Sequence, residues 1–189
     1  MKNELRIIAG RFRSRKLKFP DAPGLRPTPD RVRETLFNWL RNDIEGARCL
    51  DLYAGSGALG FEAASRGAAK VVQVERDALV CGALERNRAL LNAEAVEIVQ
   101  AEVGRFLEGA GQPFDVVFLD PPFHQGLVIP CCRALEENGW LSSHAKIYVE
   151  TESSFRLESL PENWRTLRDG RAGEVGYHLC ERISSGHFP

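Results

Sequence analysis

Apolar residues in this chain gather into short β-branched runs that alternate with stretches of helical spacing. RCLDLY (48–53), KVVQVE (70–75), VEIVQ (96–100), FDVVFLD (114–120) and HAKIYVE (144–150) each have the length of one buried strand. Between them lie a helical stretch ending near Arg66, a long one over 77–93 carrying Leu79, Ala83, Leu90 and Leu91, a short one over 102–109 and another over 126–138. WRTLRDGR and VGYHLCERI follow as two strands about a Gly-containing connection, with no helix between them. Strand and helix in strict alternation predict a mainly parallel sheet covered on both faces, and the final pair predicts an antiparallel hairpin at its edge. Residues 46–189 therefore read as a doubly wound α/β domain with seven strands.

The first 45 residues follow another pattern. Residues 5–19 read as two short strands around Gly10–Arg15, and PDAPGLRPTP (20–29) is a connector punctuated by Pro and Gly. Thr28 is placed to cap a helix with Pro29 at its first position, and Val32, Leu36, Trp39, Leu40 and Ile44 recur at helical spacing. This is a small N-terminal extension of hairpin and helix.

Charge distinguishes the extension from the body. The chain has 189 residues, with 25 Lys+Arg against 26 Asp+Glu, yet residues 1–19 hold Lys2, Arg6, Arg11, Arg13, Arg15, Lys16 and Lys18 against Glu4 alone. That stretch is +6, and the remaining residues are −7. A basic arm on an acidic body suggests a polyanionic partner met through one end of the molecule; the plainer alternative is a solvated edge. Five cysteines (Cys49, Cys81, Cys131, Cys132, Cys180), with no CxxC pair, fit neither a disulfide framework nor a zinc site, and read as buried apolar residues. No apolar run reaches the ~18 residues of a membrane span, and the N-terminus has no signal-peptide core, so a cytoplasmic monomer is expected.

Gly55-Ser56-Gly57-Ala58-Leu59-Gly60 is GxGxxG between a strand and a helix, and Glu75 ends the next strand 20 residues after Gly55. Such a loop lets a nucleoside lie against backbone at a helix N-terminus, while the acid accepts hydrogen bonds from a ribose diol. The pattern fits NAD as well as S-adenosylmethionine (SAM). Asp51 favours SAM, because an acid four residues before Gly55 repels a pyrophosphate and attracts a sulfonium and an ammonium group.

Asp120-Pro121-Pro122-Phe123 follows the apolar strand VVFL. Two prolines hold the chain rigid and extended where this fold places ligands. The Asp120 carboxylate and the Pro121 carbonyl could each accept a hydrogen bond from one exocyclic amine, with Phe123 stacked on the base that carries it. Two acceptors pulling the amine hydrogens out of plane would aim its lone pair at a methyl donor, so catalysis is positioning plus electrostatics. The base must first leave its stack.

DLYAGSGALG followed by DPPF resembles the class I SAM-dependent amino-methyltransferases, whose fold is Rossmann-like. RIIAGRFRSRKL, LRPTPDRVRETLFNWL, LDLYAGSGALGFEAASRGA, FLDPPF and IYVE together resemble the RsmD family, over nearly the whole chain. That family methylates the exocyclic N2 of a guanine (position 966) in bacterial 16S rRNA. The resemblance implies that Asp51, Tyr53, Gly55, Ser56, Gly57 and Gly60 line the SAM site, that Glu75 holds the ribose, and that Ala101 and Glu102 lie near the adenine. It also implies that Asp120 and Pro121 hold the guanine amine with Phe123 on the ring. Arg11, Arg13, Arg15, Lys16 and Lys18 would contact phosphates, with Arg31 and Arg33 bordering the cofactor or the RNA. The assembled small subunit, with neighbouring ribosomal proteins, is the implied partner. A DNA adenine-N6 enzyme shares the chemistry but usually carries a larger DNA-reading segment; an NAD-dependent oxidoreductase leaves Asp51 and DPPF unexplained.

Overall fold

Hydrogen-bonding partners sort the strand sequences into one sheet whose order determines where a ligand can bind. The structure is a computed structural model that describes residues 3–25 and 27–183. An N-terminal pair, β1 (Glu4–Arg6) and β2 (Lys16–Lys18), precedes α1 (Asp30–Trp39). The body then runs β3 (Arg48–Leu52), α2 (Ala58–Ser65), β4 (Lys70–Glu75), α3 (Ala78–Leu91), β5 (Val96–Gln100) and α4 (Val103–Leu107). It ends with β6 (Phe114–Leu119), α5 (Val128–Glu137), β7 (Leu141–Glu152), β8 (Trp164–Ala172) and β9 (Val175–Arg182).

The seven strands lie in the order β5-β4-β3-β6-β7-β9-β8. The first five are parallel, whereas β9 is antiparallel to both β7 and β8, so the expected doubly wound sheet with an antiparallel edge hairpin is what forms. The chain winds outward from β3 to β5, then returns to the other side of β3 with β6. The direction of winding reverses between β3 and β6, and their carboxyl ends flank the crevice where open α/β sheets bind ligands.

Side-chain alternation divides the core in two. Cys49, Val71, Val116, Phe118 and Tyr148 face one layer with Leu36, Phe37, Phe61 and Leu84. Leu50, Leu52, Val72, Val117, Leu119, Ile147 and Val149 face the other, with Leu107, Cys132 and Leu135. The N-terminal extension belongs to the first layer: Leu5, Ile7, Phe12 and Leu17 are buried in it. Burying each such side chain stabilises the fold by roughly 1.5–3 kcal/mol, so these four residues anchor the arm to the body.

Three local readings change. Thr28 does not cap α1; Pro29 holds the cap position without a side-chain bond, and the Thr28 hydroxyl donates to Glu150 instead. The helix ends at Trp39, while Leu40 and Ile44 are buried in the turns that follow. In α3 the buried stripe is Val80, Leu84, Asn87 and Leu91; Leu79 and Leu90 fall off that stripe and are 75% and 58% exposed.

Candidate active site

The loop after β3 is held from below by a buried acid. Asp51 Oδ2 accepts from the Gly60 amide at 3.0 Å and from Gln73 Nε2 at 2.9 Å, Gln73 being its register partner on β4. Burial, reinforced by the Glu75 charge and opposed by those two hydrogen bonds, pushes the Asp51 carboxyl up to about 7. Tyr53, Gly55 and Gly57 all have positive φ (61°, 52° and 78°), so the chain turns sharply into α2. Gly57 is fixed doubly, since an added Cβ would lie 2.7 Å from Leu84 and Phe61. Gly60 serves a different end from the close ligand approach expected of a glycine here. Its Cβ would lie 2.4 Å from Gln73 and 2.8 Å from Asp51, so it permits helix α2 to pack on the sheet. Ser56 is buried in the same turn, and the Leu25 side chain lies over Gly55.

Glu75 reaches the loop from the next strand. Its Oε2 accepts from the Gly55 amide at 3.1 Å and its Oε1 from the Asp77 amide at 2.9 Å. Each oxygen keeps a further lone pair for a ligand hydroxyl. Two neighbours have other attachments. The Tyr53 hydroxyl meets Cys131 Sγ on α5 at 3.4 Å, and burial raises both groups. Both Glu102 oxygens cap α4 through the Gly104 and Arg105 amides, and these bonds lower its pKa. The Ala101 amide pairs with the Glu75 carbonyl. Glu102 is thus a helix cap, a role the sequence reading did not assign.

Asp120 follows β6 directly beside this loop, because Leu52 is paired with Leu119. The residue is half-buried, and the β6–β7 register sets it beside Glu150 of β7. Burial, the Glu150 charge and the Asp51 charge hold Asp120 well above the usual carboxylate range. Pro121 is buried, while Phe123 is half-buried with its ring edge-on to His124. The turn is pinned by the His124 amide, which donates to Glu152 Oε1. Sequence reasoning gave no role to Glu150, Glu152, Gln73 or Leu25. The parallel register of β6 and β7, which puts Glu150 beside Asp120, is not a local property of either strand.

The basic arm is exposed as expected at Arg11, Arg13, Arg15, Lys16 and Lys18, and Arg31 is exposed on α1; Lys2 lies outside the described residues. The arm's backbone is clamped to the body. Glu62 accepts from the Ile8 and Ala9 amides, Ser65 Oγ from the Phe12 amide, and Asn87 exchanges two hydrogen bonds with Lys18. Arg33 must be reassigned. Its side chain is fully buried, 2.6 Å from Asp30 and 3.6 Å from Glu62, and donates to the Arg6 carbonyl. It ties the arm to α1 and α2 and has no surface to offer RNA. A cavity of about 470 Å³ lies against this arm, walled by Glu4, Arg6, Lys16, Pro27, Thr28 and Asp30.

The family described as Conserved hypothetical protein 95 matches residues 5–181. Ribosomal RNA small subunit methyltransferase D of Escherichia coli (strain K12) is 49% identical over 183 residues, covering 97% of this chain and 92% of that protein. Its namesake in Haemophilus influenzae is 50% identical over 184 residues, 95% of each chain. The chain belongs to this RsmD family of rRNA methyltransferases. The solved structure of yhhF from Escherichia coli superposes with a TM-score of 0.89 at 47% identity, covering 96% of this chain and 99% of that one. The crevice between β3 and β6 is lined by acids. The Glu75 charge adds to the burial that raises Asp51, and the Glu150 and Asp51 charges add to the burial that raises Asp120; a positively charged ligand would relieve that repulsion.

Proposed function

We propose that this enzyme transfers a methyl group from SAM to the exocyclic N2 amine of a guanine in 16S rRNA, at position 966, within the assembled small subunit. The observation that carries the reading is the placement of Asp120-Pro121 at the reversal of strand order, one strand away from an acidic glycine loop. SAM supplies, when bound, an electrophilic methyl group next to a positive charge. The protein's share is positional. Gly55, Gly57 and Glu75 would hold the nucleoside, Asp51 would favour the cationic end, and Asp120 with the Pro121 carbonyl would accept the two amine hydrogens. Phe123, with its ring half-exposed, would lie on the base. Orientation of two reactants accounts for large rate factors without a covalent intermediate. The exposed Arg11, Arg13, Arg15, Lys16 and Lys18 would hold phosphates, with Arg31 nearby.

The test incubates the purified protein with methyl-labelled SAM and, separately, unmethylated small subunits, free 16S rRNA and duplex DNA, then digests each to nucleosides for mass spectrometry. N2-methylguanosine from subunits supports the full reading. Label in free rRNA alone would remove the subunit requirement, and N6-methyladenine in DNA would replace the substrate altogether.

A further inference from the structure

Transfer of a methyl group to an amine leaves a proton to be disposed of, and the structure contains a buried group positioned for it. Leu119 of β6 is in register with Val149 of β7, so the next residues, Asp120 and Glu150, stand side by side. The Glu150 charge adds to the burial that raises Asp120, so a single proton held between the two carboxyls would relieve their repulsion. Glu150 is only 6% exposed. Its Oε1 accepts from the Tyr148 hydroxyl at 2.8 Å and from Thr28 Oγ1 at 3.4 Å. Thr28 in turn forms part of the wall of the 470 Å³ cavity beneath the arm. Glu150 therefore has Asp120 toward the crevice and, through Thr28, a cavity open to solvent on another side.

We propose that Glu150 acts with Asp120 as one carboxyl pair that takes up the proton released by the acceptor amine and passes it toward the Thr28 cavity, a role that rests on the methyltransferase reading above. As the nitrogen gains its methyl group it becomes cationic. One N–H bond then breaks, its electron pair stays on nitrogen, and an O–H bond forms on Asp120. The pair goes from one proton and a net charge of −1 to two protons and no net charge. It returns to its starting state by releasing one proton at the cavity wall.

Glu150 is a positioning residue in this scheme, since Asp120 alone meets the substrate. The titratable groups around it are Asp120 and, behind that, Asp51; Tyr148 on its own strand; and Tyr177, its register partner on β9. Burial raises Glu150, while its bonds to Tyr148, Thr28 and Asp120 lower it, and burial raises Asp120.

The experiment measures single-turnover methyl transfer to small subunits across about pH 5.5 to 9 for wild type, Glu150→Gln, Glu150→Asp and Tyr148→Phe, with SAM binding by calorimetry and melting over the same range. Glu150→Gln should slow transfer about 10- to 100-fold, with the KM for subunits and the affinity for SAM within about twofold of wild type. Removing the Glu150 charge should move the acid limb to lower pH, whereas removing the Tyr148 donor should move it to higher pH. Glu150→Asp should restore part of the rate. Opposite shifts support the proposal. Unshifted profiles, or a loss confined to KM, would overturn it, and so would a wild-type melting temperature that does not fall as pH rises more steeply than that of Glu150→Gln. If wild type methylates none of the substrates, the functional reading fails instead, while the melting comparison still reports on the carboxyl pair.

Discussion

At the amino end of α2, Gly60 brings the chain against Asp51, a buried acid that holds a backbone amide and has other acids for company. At the carboxyl end of the same helix, Glu62 and Ser65 hold the backbone of a basic arm, and Glu62 lies against two guanidinium groups, Arg33 at 3.6 Å and Arg66 at 2.8 Å. Both ends use a buried acid to accept amide hydrogens. They differ in whether the charge is answered within the protein. The Glu62 end is complete, and reads as architecture. The Asp51 end is left acidic, and reads as a place that a cation completes. The helix is eight residues long, so the ends are about 12 Å apart.

The largest expected effect lies at the acidic end. Asp120→Ala should lower methyl transfer by about three orders of magnitude while SAM affinity, measured by calorimetry, changes by less than about threefold. Equal loss of both would mean that Asp120 shapes the donor site rather than holding the acceptor amine, and the contrast between the ends would lose its chemical content.

Next comes the internally compensated end. Arg33→Met removes the guanidinium that joins Asp30, Glu62 and the Arg6 carbonyl, leaving Glu62 with Arg66 alone. Breaking a buried pair in this way typically costs about 3–5 kcal/mol, so the urea midpoint should drop sharply. A surface arginine would cost well under 1 kcal/mol, and a result of that size would mean that the buried Arg33 pairs do not hold the arm in place.

The fate of Arg33 shows what the sequence could reveal and what it could not. Strands such as FDVVFLD were legible because a run of β-branched and apolar residues has few alternatives, and the glycine loop because positive φ restricts residue choice. Asp120 was legible from the prolines that hold it. A charge in an amphipathic helix, however, looks the same in sequence whether it faces solvent or another charge; Arg31 and Arg33 differ only in which side of α1 they occupy. Thr28 looked like a helix cap because caps are local, and its actual partner, Glu150, is 122 residues away. The Glu150–Asp120 contact likewise depends on which strands pair, a property of the whole sheet. The apolar character of the arm was present in Leu5, Ile7, Phe12 and Leu17, but its charges drew attention to the surface.

The arm itself offers a smaller effect. Replacing Arg11, Arg13 and Arg15 together by Gln leaves the backbone clamps at Ser65 and Asn87 untouched, since these act on amides and carbonyls. RNA affinity should fall roughly 10- to 100-fold, and the slope of log affinity against log salt should flatten by about 2 to 3, one charge each. SAM binding should be unaffected. Its collapse would show that the arm shapes the donor site as well.

The smallest effect is the most direct comparison of the two ends, because Asp51→Asn changes charge at nearly constant shape. Both donors to Asp51, the Gly60 amide and Gln73 Nε2, reach the same oxygen, so an Asn carbonyl can accept both. Asp51 titrates at about 7 when folded, chiefly because it is buried, and at about 4 when unfolded. Between those values the folded protein binds more protons, so wild-type stability falls as pH rises through the window, and the full cost is present above about pH 7. Asp51→Asn removes that dependence, and its melting temperature should exceed the wild-type value by about 2–5 °C at pH 8 and by less at pH 5. The same substitution should weaken SAM binding about tenfold at pH 8. In wild type, SAM binding should weaken as pH drops below about 7 and Asp51 takes up its proton; in the variant, that dependence should be lost. A variant destabilised equally at both pH values, with SAM affinity intact, would mean that Asp51 serves only to hold Gly60, and the two ends of α2 would then be alike.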